Sequence, residues 1–188
     1  NFYYEKTTEA NYIVKPTFFP KSQKMKEGLL RTCVRGTEYL LGYRKIINEL
    51  KKNKYDIVHI QWLLIYKLDK YILKEIKKYC KKIIFTAHDV IPHRNGESYI
   101  NDLKQIYGIV DLVLIHGEGI KEEFAKYFPE YENKVLIQHH GTYLNQDKHY
   151  DINNIDKKII EKNTNIKINE LKIVWLNKDN DNYKIINC

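Results

Sequence analysis

The sequence predicts an α/β protein built on a Rossmann-like parallel sheet with helices on both faces. Three observations predict it. Four short runs, Asp56–Ile60, Ile83–Ala87, Leu112–Ile115 and Val135–Ile137, are almost continuously apolar, as strands buried on two faces are. Between them, apolar residues recur every three or four positions: Leu68, Ile72, Ile76 and Cys80, then Ile100, Leu103 and Tyr107, then Ile120, Phe124 and Phe128. Strands of about five residues alternating with helices of about ten to fifteen make right-handed β-α-β units. Finally, each run ends near a polar or glycine signal, where a parallel strand delivers side chains to one edge of the sheet.

Taken in order, Tyr12-Ile13-Val14 reads as a short strand leading into a loop with Pro16, Phe18-Phe19 and Pro20. From Gln23 to Lys52 the pattern is helical, with Leu40, Tyr43, Ile47 and Leu50 on one face. Gly28, Gly36 and Gly42 weaken that stretch, since each costs about 1 kcal/mol against alanine in a helix interior. Two helices parted near Gly36, or one imperfect helix, both fit. The β-α units follow. In the second of them Thr86 and Ala87 thin the side chains, and His88 and Asp89 come directly after. Pro92 cannot continue a central strand and biases Ile91 toward extended geometry, so the chain turns there. Beyond Tyr143 the chain is rich in Asn, Asp and Lys, and Lys172 to Leu176 begins another strand. The expected organisation is a Rossmann-like domain over residues 1–150, a linker over 151–170 and the start of a truncated second domain over 171–188.

Composition narrows the function classes. The 188 residues carry a formal net charge of +8, but lysines such as Lys74, Lys77 and Lys78 fall on helical faces, where they read as solvated surface. There is no arginine cluster and no nucleic-acid-binding motif, so no nucleic-acid partner is expected. The charge leaves open a weak peripheral attraction to an anionic membrane or to phosphorylated substrates. No apolar run is long enough for a membrane helix, and no secretory signal is recognised in these residues. Cys33, Cys80 and Cys188 are odd in number and lack metal spacing, which fits a reducing, cytoplasmic compartment; Cys33 and Cys80 sit in helical patterns. The missing initiating methionine, and an end on Asn187-Cys188 soon after an apolar run, suggest a piece of a longer protein.

The strand ends supply the chemistry. They offer His59 followed by Gln61-Trp62, His88-Asp89, His116-Gly117, and Gln138-His139-His140-Gly141. Parallel strands bring such ends together into a polar crevice. Of these, His88 is the strongest candidate for function. His59 lies within an apolar run and reads first as a structural residue that orients the loop. His116 fits either role. His140 with Gly141 looks like a turn where backbone approaches something closely. No metal site is expected, since no two histidines lie at i, i+4 on a helix and H-E-x-x-H is absent. G-x-G-x-x-G and the P-loop are absent too. Gly117-Glu118-Gly119 lacks a third glycine and carries a glutamate that would repel a pyrophosphate, against a dinucleotide dehydrogenase or an NTPase.

Four pieces in order carry a resemblance. Tyr55-Asp56-Ile57-Val58-His59-Ile60-Gln61-Trp62 and Lys82-Ile83-Ile84-Phe85-Thr86-Ala87-His88-Asp89-Val90-Ile91-Pro92-His93 resemble the amino-terminal domain of group 1 (family 4) glycosyltransferases. Val110 to Gly117 and Lys134 to Tyr143 are similar to the later strand and the "HG" segment of that domain. The resemblance implies the amino-terminal half of a GT-B fold, in which two Rossmann-like domains flank the active-site cleft. The family's carboxyl-terminal domain holds the nucleotide-sugar donor, and the amino-terminal domain shapes the side of a glycan or lipid-linked acceptor. By the same resemblance His88 is the catalytic-site histidine facing the transferred sugar. His59, Asp89, His116, Gly117, His140 and Gly141 are then the substrate-binding candidates. Transfer would be retaining, with no metal and no cofactor beyond the donor co-substrate, in polysaccharide assembly in the cytoplasm or at the inner face of the membrane. The chain departs from the family in showing neither its first strand and glycine-rich loop nor its donor half. This chain alone is therefore expected to be inactive in transfer. The competing reading is a non-catalytic Rossmann-like binding or partner module.

Overall fold

The structure is a computed structural model that describes residues 12–93, 95–138, 172–176 and 182–187, with side chains over 17–93 and 95–138. Strand β1 (Tyr12–Pro16) leads through a 3-10 turn (Ser22–Lys24) into helix α1 (Leu29–Lys52). Then follow β2 (Tyr55–Ile60), α2 (Tyr66–Ile76), β3 (Cys80–Thr86), α3 (Ile100–Ile109), β4 (Leu112–Ile115), α4 (Glu118–Tyr127) and β5 (Val135–Ile137). The last strands are β6 (Lys172–Leu176) and β7 (Asn182–Asn187).

Strands β2, β3, β4 and β5 form a parallel sheet in that order, flanked by helices, which is the expected Rossmann-like α/β fold. Among the described residues, however, the helices expected on both faces all pack against one, because right-handed crossovers between strands in sequential order put every connecting helix on the same side. Val58 pairs with Ile83, Phe85 with Val113, and Val113 with Val135, so these residues share one face. That face joins a single apolar core with α1, α2, α3 and α4, to which they contribute Tyr43, Leu73, Ile106 and Phe124 among others. Ile57, Ile84, Leu112 and Leu114 point to the opposite face and are buried as well. Burial on two faces is what an uninterrupted apolar strand predicts. Ile72, Ile76, Phe124 and Phe128, expected to be buried against the sheet, are buried. Tyr107 packs edge-on against Phe124 at 4.8 Å and Phe128 at 4.7 Å, forming the aromatic centre of the core.

The long first helix is one helix rather than two. Gly42 is tolerated within it because the Phe18 ring lies where a side chain would stand: a Cβ there would sit 2.4 Å from Phe18 Cδ1. Phe18 stacks edge-on with Tyr43 at 5.2 Å and turns the helix so that Tyr39, Tyr43, Ile46 and Leu50 face inward. Leu40, expected on the buried face, is 51 % exposed. Cys80 also departs from its expected helical place. The backbone tightens to a 3-10 turn at Lys77–Tyr79, then extends at Cys80 (φ −138°, ψ 158°), and Cys80 opens β3.

An acidic pin sets the entry to β4. Asp111 accepts a hydrogen bond from Ile83 N at 2.8 Å and pairs with Lys77 and Lys82. These cations and the Ile83 amide hold its carboxyl below the usual range even though burial works against them. The remaining strands form a second, antiparallel sheet in the order β1-β7-β6, in which Ile185 stands opposite both Ile13 and Val174. The strand expected from Lys172 to Leu176 is β6; it pairs with β7 and runs alongside β2. The linker expected over 151–170 lies outside the described residues. Among the described residues, no helix is long and apolar enough to cross a membrane.

Candidate functional site

The parallel register brings the carboxyl ends of β2 to β5 to one edge, and the polar residues that follow them meet there. Side chains alternate along a strand, so His59 and Thr86, in register with Ile84 and Leu114, fall on the face opposite the helical core. His59 Nε2 lies 2.8 Å from Thr86 Oγ1 and 3.1 Å from Gln61 Nε2. The other end of the same amide, Gln61 Oε1, lies 3.2 Å from His88 Nε2. Trp62 stacks on the His88 ring, with centroids 4.1 Å apart and planes 10° from parallel. His116 stands 5.0 Å from His88, tilted by 41°, and its Nδ1 donates to the carbonyl of Gln138 at 2.9 Å. Burial and the neighbouring His88 lower the His59 pKa to about 4, so this ring is neutral at physiological pH.

Local sequence explains why the edge is polar. β3 ends at Thr86, and Ala87 N still donates to Leu114 O at 2.8 Å, so the ladder runs one residue further before His88. Gln138 N likewise donates to Ile115 O at 2.8 Å, which ties the end of β5 to β4 beneath His116. The loop after β3 then turns outward and forms one wall of a cleft of about 520 Å³. His88, Asp89, His93 and Glu97 line that wall, and Glu123 and Tyr127 of α4 line the other. His93 Nε2 lies 3.4 Å from Asp89 Oδ1.

The expected residues therefore divide. His59, His88 and His116 form one cluster, and Asp89 lines the adjoining cleft beside His88. Gly117 precedes α4 with an extended backbone (φ −175°), and a Cβ placed there would meet nothing within 4 Å, so packing does not require glycine. His140 and Gly141 lie outside the described residues. Three contributors were not among the site candidates read from sequence: Gln61 and Trp62, noted there only as the polar end that follows His59, and Thr86, noted only as a thinning of side chains. Among the described residues no group of three His, Cys, Asp or Glu side chains is arranged to hold a metal ion.

A histidine stacked on an indole offers a planar apolar surface with a polar rim, and carboxylates and imidazoles accept and donate to hydroxyls. The carboxylates of Asp89, Glu97 and Glu123 would repel a diphosphate. The chain has no match among protein-family models, curated proteins or solved structures.

Proposed function

We propose that this chain is the acceptor-side, Rossmann-like part of a glycosyltransferase of the group 1 (family 4) GT-B kind. The observation that carries the reading is His88 at the end of a buried parallel strand, stacked on Trp62 at 4.1 Å and bordering an open cleft lined by carboxylates. In this reading the cleft receives a glycan or the sugar of a lipid-linked acceptor, and His88 hydrogen-bonds the sugar undergoing transfer. The nucleotide-sugar donor binds elsewhere, since an acidic wall opposes its diphosphate. Asp89, His116 and Gly117 are proposed to shape the same crevice, and His59 to support it from below.

The acidic lining also favours a second reading, a Rossmann-like module that binds a glycan or another partner without transferring anything. Saturation-transfer NMR on the chain with a panel of oligosaccharides tests both. The expected result is binding of at least one oligosaccharide that His88→Ala and Trp62→Ala each weaken by about tenfold, or about 1.4 kcal/mol. Transfer of sugar from a nucleotide sugar by a protein carrying this chain with a donor-binding half would select the enzyme; glycan binding without transfer would select the module. If no oligosaccharide binds, or if the His88 variant binds as well as the parent, the site assignment falls.

A peripheral seat on an anionic membrane belongs to the proposal. It is supported by four leucines of α1, Leu29 and Leu30 at 82 % and 70 % exposed and Leu40 and Leu41 both at 51 %. They stand among Lys24, Lys26, Arg31, Arg35, Arg44 and Lys45. Exposed apolar side chains bordered by cations suit the interface of anionic lipids.

A further inference from the structure

Gln61 bridges two imidazoles that come from different strands, and the polarity of its amide has a consequence for both. An amide has one donor end and one acceptor end. Its nitrogen is 3.1 Å from His59 Nε2, so that ring nitrogen accepts and the His59 proton resides on Nδ1. Thr86 Oγ1, 2.8 Å from the same Nε2, shares that nitrogen's single lone pair with the amide and orients the ring from β3. The amide oxygen is 3.2 Å from His88 Nε2, which must then carry a proton to donate. Trp62, the next residue, fixes the plane of the His88 ring by stacking on it. One dipeptide at the end of β2 thus sets both the orientation and the tautomer of a ring at the end of β3.

We propose that Gln61 is a positioning residue that holds His88 as the Nε2–H tautomer, so that Nδ1 is the nitrogen that gains and loses a proton. The proposal rests on the cleft reading only for its importance, because it concerns the proton on His88 and not the sugar. His59 remains a suitable anchor because burial keeps it uncharged over the range in which an ordinary histidine titrates. Several groups share the electrostatic surroundings of His88: His59 on β2, Asp89 and His93 on its own loop, Glu97 on the same wall, His116 after β4, and Glu123 on α4.

Long-range proton–nitrogen NMR of the uniformly labelled chain tests this, with His88→Gln used to assign the ring. Above its pKa, His88 should show the Nε2–H pattern. Gln61→Leu, which keeps the volume and removes the amide, should give a mixture of tautomers. Gln61→Glu should raise the His88 pKa by about one unit or more, because a carboxylate would then face Nε2. A backbone amide spectrum of each variant checks the fold. An Nδ1–H pattern for His88 in the parent protein would overturn the proposal even if no variant folded, since it requires the amide to be reversed. An unchanged tautomer in a folded Gln61→Leu would overturn it as well. Failure of glycan binding beside an intact Nε2–H pattern would remove the transferase reading and leave this one standing.

Discussion

Two ionisable side chains, half-buried His59 and fully buried Asp69, give the protein opposite responses to pH. His59, neutral in the fold with a pKa near 4, loses stability for the fold as pH falls from about 6.5 to about 4, because the unfolded chain takes up its proton first. Asp69 behaves in reverse. It is buried between α1 and α2, accepts from Tyr39 Oη at 2.6 Å and from Ile65 N at 2.8 Å, and burial raises its pKa to about 6. Its contribution is fully present below about pH 3.8 and declines as pH rises through 6, by up to about 3 kcal/mol. Asp69→Asn should be less stable than the parent, since an amide nitrogen cannot accept from Ile65, but the gap should narrow between pH 4 and pH 7. His59→Gln should show the gap widening over the same range. Urea titrations at both pH values check the two signs, and parallel curves for parent and variant would refute the assignment for that residue.

At the scale of elements, packing and site separate. Phe124 is fully enclosed against Tyr107 and Phe128, so Phe124→Ala should cost about 3–5 kcal/mol. His88 is only partly buried, and His88→Ala should cost far less. Equal losses in a denaturant titration would make His88 a core residue. Gly42→Ala gives a second contrast. In an exposed helix interior the change would gain about 1 kcal/mol, yet here the Cβ would meet the Phe18 ring at 2.4 Å. Destabilisation is therefore expected, with Phe18→Leu partly restoring stability. A gain from Gly42→Ala alone would mean that Phe18 moves aside freely.

For the molecule as a whole, the proposed membrane seat joins charge to exposed leucines. In that proposal the net charge of +8 would supply long-range attraction, and Leu29 and Leu30 at the start of α1 would supply insertion. Flotation with phosphatidylcholine vesicles, with and without phosphatidylglycerol, should show binding only to the anionic vesicles and release by salt. The double variant Leu29→Ser, Leu30→Ser should lose most of that binding without a change in thermal unfolding. Equal recovery with neutral and anionic vesicles, or none with either, would end the membrane assignment.

The four parallel strands were legible in the sequence because an apolar run bounded by turns has few other uses, and each lies within about three residues of its predicted bounds. Strand order in the structure is that of the sequence, as consecutive elements usually pack as neighbours, and that order gathers His59, His88 and His116. The inward face of α1 was decided by Phe18, a residue outside the helix whose contacts no helical period encodes. The union of β1 with β7 joins segments far apart in the chain, and neither strand's own pattern specifies the partner. The bridge from Gln61 to His88 spans 27 positions. Sequence placed both residues at strand ends; only the tertiary structure could set their side chains 3.2 Å apart, because a hydrogen bond depends on ångström distances that local propensity does not carry.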